Sequence, residues 1–204
     1  MKKNIAPKIF EKYTDGVSGC VNREEQEALY EIIAGCRNKR EASRENLYKK
    51  FYGYALGTAL AYCNKRADAS EVVNDSFMKV FRHIKSYNRS EPFKPWLRKI
   101  VVYTAIDKER AERRHKYHVR LDDIESSSPL NIESDLNAQQ IFQLLNDLPE
   151  LLRFVFNLYE IEGYSHREIA GKLDIAESSS RTYLTRAKTK LRQLYRIKFM
   201  DGRP

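Results

Sequence analysis

Three carboxylates, Asp68, Glu71 and Asp75, recur three and four residues apart, which gathers them on one side of a helix. Oxygen ligands so placed could hold Mg²⁺ and build a nuclease-type centre. No His or further carboxylate lies at a spacing that completes a catalytic set, so metal chemistry is the minor reading and no cofactor is expected. A second group mixes cations with aromatics: His83, Lys85, Tyr87, Asn88, Arg89, Phe93, Trp96, Arg98, Lys99 and Tyr103. Bases stack on aromatic faces while cations follow the backbone, so this mixture suits single-stranded nucleic acid, with Trp96 expected in the core. Arg110, Arg113 and Arg114 extend it with phosphate ligands. A third group is basic alone: seven Lys and Arg and no acid between Arg181 and Lys198.

The charge distribution separates these groups. The chain of 204 residues carries a formal +9. Residues 94–120 hold nine basic and three acidic side chains, whereas residues 121–150 hold seven acids and no Lys or Arg. Residues 151–204 return to eleven basic against six acidic. Two basic blocks around an acidic one point to two contacts with a polyanion. Three scattered cysteines without C-x-x-C spacing argue against a disulfide framework or a structural zinc site. The longest mainly apolar stretch, Ala55–Cys63, is too short to span a bilayer, and residues 1–7 lack the apolar run of a signal peptide. A cytoplasmic protein without direct membrane insertion is expected.

The elements that must carry these groups read as helices throughout. Residues 1–23 are polar and irregular, a mobile leader by composition. A first helix starts near Glu24 and is expected to break around Gly35. A second runs from about Ser43 to Asn64, with Leu47, Phe51, Tyr54 and Ala55 recurring at helical spacing, and Gly53 and Gly57 are small enough for close helix packing. Asp68-Ala-Ser-Glu71 resembles a capping box opening a third, whose apolar face is Val73, Phe77, Val80, Phe81 and Ile84. The fourth is expected from about Pro95 to His115. Residues 116–136 lose periodicity and read as a linker, followed by helices at about 137–147, 149–161, 165–173 and 177–197, then a tail at 199–204. The expected fold is all-α with two helical domains, 24–115 and 137–198.

Tyr164-Ser-His-Arg-Glu-Ile-Ala-Gly-Lys-Leu-Asp-Ile-Ala-Glu-Ser-Ser-Ser-Arg-Thr-Tyr-Leu reads as a helix-turn-helix. Ser165 and Glu168 form its capping box, Ile169, Ala170 and Leu173 its inner side, Asp174 its turn and Ile175 the plug between helices. The second helix would enter the major groove, with Ser178, Ser179, Ser180, Arg181, Thr182, Thr185, Arg186 and Lys188 toward DNA.

With Leu148-Pro-Glu-x-x-Arg153-x-Val-Phe156-x-Leu158 before it and Arg186-Ala-Lys-x-x-Leu191-Arg after it, this stretch resembles region 4 of extracytoplasmic-function sigma factors. Upstream, Leu47-Tyr-x-x-Phe-Tyr, Asp68-Ala-Ser-Glu-Val-Val-Asn-Asp-Ser-Phe-Met-Lys-Val-Phe81 and Phe93-Lys-Pro-Trp-Leu-Arg-Lys-Ile100 resemble region 2 of the same family. The chain departs from the family pattern at the Ser-rich start of the recognition helix, at Asp174 where Gly is usual, at Ala176 where a capping Ser is usual, and at Tyr103 where relatives carry Asn.

The resemblance implies a non-enzymatic promoter-specificity subunit. Asp68, Glu71, Asn74, Asp75 and Met78 would bind the β′ clamp helices of core RNA polymerase, and region 4 would meet the β flap. Region 4 would read the −35 element as duplex. His83, Lys85, Tyr87, Asn88, Arg89, Arg98, Lys99, Arg110, Arg113 and Arg114 would capture the −10 element as it melts. The acidic linker (Asp122, Asp123, Glu125, Glu133, Asp135) would thread toward the RNA exit path, and an anti-sigma factor is an expected regulator. The alternative is a stand-alone helix-turn-helix regulator that binds duplex DNA without polymerase.

Overall fold

The computed structural model describes residues 23–118 and 143–200, with side chains placed at 24–114 and 143–198. Residues 1–22 of the expected leader, residues 119–142, which hold the linker's five acids and the first part of the expected 137–147 helix, and residues 201–204 lie outside the described residues. Among those described, every regular element is helical and none is long and apolar enough to cross a membrane.

Helix α1 spans Arg23–Arg37, with Glu24 and Glu25 in its first turn and Arg37 in its last, charges that complement the helix dipole. It does not break at Gly35. That glycine is instead a contact point, because a Cβ there would collide with the Ser43 side chain. Helix α2 (Glu41–Leu60) is the hub: Leu47, Phe51, Ala55, Leu56, Ala59 and Leu60 are buried, and α1, α3 (Arg66–His83) and α4 (Phe93–His118) all pack on it. Gly53 and Gly57 do not serve close packing, since nothing would approach a Cβ at either within 4 Å.

The sequence places the start of α3 at Asp68, but the helix begins at Arg66 with Lys65 as N-cap. Asp68 is therefore the third helical residue and makes no capping bond, though its charge still favours the positive helix end. Val72, Val73, Phe77 and Val80 bury against α2 and α4. Helix α4 opens at Phe93, two residues earlier than expected. Phe93 is buried and packs with its ring tilted, 4.7 Å from Phe51 between centroids, which anchors that first turn to α2.

The second unit comprises α5 (Glu150–Phe156), α6 (His166–Leu173) and α7 (Glu177–Tyr195). Helix α5 follows Pro149, and the expected 149–161 helix is continued beyond it by a π-type turn at Asn157–Ile161. Gly163 then adopts φ 76°, where a side chain would be strained, and releases the chain toward α6. Leu145, Leu148 and Ala187 form a small cluster beneath α7. Phe154, Val155, Leu158, Ile169, Leu173 and Leu184 join the same apolar cluster as the α1–α4 core, with Phe154 5.2 Å from the Tyr62 ring.

Candidate nucleic-acid and protein interfaces

The helix-turn-helix is built as its sequence dictates. Ser165 Oγ accepts from the Glu168 backbone N–H at 3.3 Å, and Glu168 Oε2 accepts from the Ser165 N–H at 2.8 Å, a reciprocal capping box. These hydrogen bonds from Ser165 hold the Glu168 carboxyl below its ordinary value. Asp174 closes α6 in the left-handed region at φ 55°, the conformation for which Gly is the usual choice. Ala176 precedes α7 without any side-chain cap, as a residue lacking an oxygen must. Replacing Ser165 by Ala is expected to destabilise the α5–α7 unit by about 1 kcal/mol in thermal unfolding at pH 7. Glu168 has a depressed folded pKa, so its contribution is complete above the unfolded value of 4.5 and fades as pH falls through the folded one. The gap between wild type and S165A should therefore narrow on acidification below 4.5.

Of the residues expected to face duplex DNA, Ser178, Arg181, Thr182, Thr185 and Arg186 are exposed and Ser179 is half-buried. Ser180 departs from that set. It is fully buried, with its Oγ 3.0 Å from Nδ1 of His166, whose ring stacks on Tyr159 at 4.5 Å. Ser180 thus fixes the angle between α6 and α7 and offers nothing to a base edge. Lys188 is half-buried and paired with Glu160 at 2.6 Å, which keeps it within its own unit.

The carboxylate row on α3 is not arranged for a metal. The Lys108 ammonium lies 2.5 Å from Glu71 and 3.5 Å from Asp68, supplying the positive charge that a cation would have brought. The carboxylates that do converge among the described residues are Glu109, Glu112 and Glu150, with ligand oxygens within 4.8 Å of one another beside the buried Arg153. Glu71, Asn74, Asp75 and Met78 all face outward, Met78 with 64% of its surface exposed, and Asn74 accepts from Tyr48 Oη at 2.9 Å. A methionine that open on a helix of otherwise polar outer face is a ready anchor for a partner.

The aromatic loop corrects the sequence reading most. Tyr87 is 3% exposed and packs 5.4 Å from Phe93 and 5.2 Å from Trp96, and its hydroxyl donates to the Glu91 carbonyl at 2.5 Å. Three aromatics within ten residues bury one another more readily than they wait for a base, so Tyr87 and Phe93 are scaffold. Trp96 packs against the core as expected. Arg37, which sequence spacing does not single out, ties this loop to α1 by donating to the carbonyls of Ile84 at 3.3 Å and Tyr87 at 2.6 Å. The basic side chains and Asn88 remain outside: His83, Lys85, Asn88, Arg89, Lys99 and Arg114 are exposed. The Arg89 guanidinium lies 5.2 Å over the Tyr30 ring.

Two other members of that set, Arg98 and Arg113, turn toward the second unit. Arg98 is 18% exposed and makes a bidentate pair with Glu162, at 2.6 Å from Nη2 to Oε1 and 3.0 Å from Nε to Oε2. Arg113 donates to the Leu173 carbonyl and pairs with the buried Glu109 at 3.3 Å. Arg110 is half-buried. Tyr103, exposed beside them, accepts from Lys172 at 2.6 Å, and that bond lowers its phenol pKa. These partners lie about 60 to 70 residues away, so no local pattern could have announced them.

Compared with known proteins, residues 47–115 match the profile of sigma-70 region 2 and residues 138–191 that of sigma-70 region 4. The extracytoplasmic-function sigma-E factor of Salmonella typhimurium LT2 is 29% identical over 156 residues, covering 70% of this chain and 82% of that protein. The corresponding figures for sigma factor SigM of Bacillus subtilis 168 are 26% over 157 residues, 74% and 94%. A solved structure of the sigma factor RpoE with the anti-sigma factor NepR from Bartonella quintana is similar at 19% identity, covering 86% of this chain and 98% of that one, with TM-score 0.43.

Proposed function

This chain belongs to the sigma-70 family, in its extracytoplasmic-function branch, and on that premise we propose that it directs core RNA polymerase to a defined set of promoters, working in the cytoplasm with the polymerase. The observation that carries the reading is the pairing of two family regions in order on one chain, each with an outward face of matching chemistry. Helix α3 presents Glu71, Asn74, Asp75 and the open Met78 to the polymerase clamp helices. Helix α7 presents Ser178, Arg181, Thr182, Thr185 and Arg186 to the −35 duplex. In the −10 element, Lys85, Asn88, Arg89 and Lys99 hold the displaced strand by phosphate and base-edge contacts, since the neighbouring aromatics are internal. The chain itself does no chemistry. Nucleotidyl transfer belongs to the polymerase. An anti-sigma partner belongs to the same proposal on family grounds alone.

In vitro transcription with core polymerase on a promoter library tests this directly. Promoter-directed transcripts that require the chain are expected. Tight, specific duplex binding by the free chain, unchanged by polymerase, would instead establish the stand-alone regulator. Within the holoenzyme, Arg181→Ala and Arg186→Ala should each weaken promoter binding. Each should also reduce the slope of log K against log salt by about 1 if its guanidinium meets a phosphate. A change confined to one promoter position at constant slope would mark that arginine as a base reader.

A further inference from the structure

Helix α1 lies ahead of residues 47–115, which match sigma-70 region 2, yet it shapes the loop of residues 84–92 between α3 and α4. It is itself fixed: Ile33 and Cys36 are buried in the core, and Gly35 sits against Ser43 of α2. From that position the Arg37 guanidinium holds the Ile84 and Tyr87 carbonyls. Tyr30 stands two turns before Arg37, on the same side of the helix. Its Oη donates to the Arg89 carbonyl at 3.0 Å and accepts from the Gln26 side-chain amide at 2.9 Å. Within the loop, Asn88 Oδ1 accepts from the Ser90 N–H and the Asn88 carbonyl from the Glu91 N–H, both at 3.1 Å. That turn carries Arg89 at its second position.

The outcome is an aromatic ring beside a loop whose own aromatic, Tyr87, is taken up by packing. Tyr30 is half-buried, and its hydroxyl bonds run to backbone and to Gln26, so they fix the ring without the Arg89 side chain. That side chain is exposed and lies over the ring. An exposed cation–π contact shifts an equilibrium by about 2- to 5-fold, whereas a base stacked on an aromatic ring shifts binding by about 5- to 150-fold. A base therefore wins the ring face, and the displaced guanidinium remains close enough to meet that nucleotide's phosphate. We propose that Tyr30 is the stacking platform for one unpaired base of the −10 element, and that Arg89 yields the ring to this base and pairs with its phosphate. Arg37 is a positioning residue for the loop. The inference rests on the sigma reading, which supplies the single strand, and adds to it a residue from outside the region 2 match.

The test uses holoenzyme and promoter fragments whose −10 region is held open by mismatches, so that melting does not enter. Tyr30→Leu is expected to weaken binding by about 5- to 150-fold. Tyr30→Phe keeps the ring, loses the hydroxyl bonds and should retain most of the affinity. An abasic site placed in turn at each non-template position should erase the difference between wild type and Tyr30→Leu at one position and leave it at the rest. Three results overturn the platform: Tyr30→Leu within about twofold of wild type, Tyr30→Phe as weak as Tyr30→Leu, or a difference that survives every abasic substitution. If Tyr30→Leu loses helicity by circular dichroism, the wild-type holoenzyme decides. A 5-iodouracil at one non-template position should then photocrosslink to Tyr30, and crosslinks that map elsewhere from every position overturn the site. Failure of the sigma reading shows separately, as a wild-type chain that gives no promoter-directed transcripts with core polymerase on fully paired templates.

Discussion

Met78→Glu is expected to weaken binding to core polymerase by about 2 kcal/mol or more, roughly 30-fold, while leaving the fold intact. The side chain stands 64% exposed on α3, surrounded by Glu71, Asn74 and Asp75. An apolar group so placed contributes little to the free chain and gains its burial only against a partner. Interfaces concentrate their energy in such anchors, and a carboxylate there would be desolvated without a counter-charge. The measurement is a competition titration against a labelled sigma factor, with thermal unfolding as the control. Binding within threefold of wild type and an unchanged melting curve would falsify the assignment of this face.

The neighbouring residue should behave in the opposite way. Phe77 is 2% exposed, with ring centroids 4.8 Å from Tyr48 and 6.0 Å from Phe81. Phe77→Ala removes a ring from the centre of the α2–α3 contact and leaves a cavity that a helical bundle closes only partly. A loss of about 3–5 kcal/mol is expected, a large share of the roughly 5–15 kcal/mol that stabilises a typical domain. Urea denaturation reads the loss directly, and transcription should fall in proportion to the unfolded fraction. A cost below 1 kcal/mol would mean that Tyr48 and Phe81 refill the space. Two consecutive residues thus separate recognition from stability, because a helix turns about 100° per residue.

Much of this was legible in the sequence where the determinant is local. The Ser165–Glu168 box, the Asp174 turn and the uncapped Ala176 all appear where residue type alone puts them, since each is settled within four or five positions. The α3 apolar stripe was equally plain, because periodicity of 3.6 is a local signal. Tyr87 in the aromatic loop was misread for a physical reason, whereas Trp96 was expected in the core and lies there. A tyrosine beside Phe93 and Trp96 looks the same in sequence whether it awaits a base or packs on them, and only the mutual distances decide. Ser180 was misread because the group that claims it, His166, lies across a turn. The start of α3 was misplaced by two residues because Asp68 is as favourable inside a first turn as before it. Arg98 and Arg113 were read as DNA contacts because their acceptors, Glu162 and the Leu173 carbonyl, belong to the other unit.

The Tyr62 and Ala61 carbonyls just after α2 accept from Arg153 and Asn157 of the second unit, and that contact also has a meaning in time. Arg153 and Asn157 follow the carbonyls they satisfy by 91 and 96 residues. At about 5–20 residues per second, a ribosome needs roughly 5–20 s to supply them after Tyr62 has been made. Throughout that interval water must solvate the end of α2, and the face of α4 that bears Arg98 stands uncovered. Every newly made molecule therefore carries these two carbonyls in water until the second unit arrives.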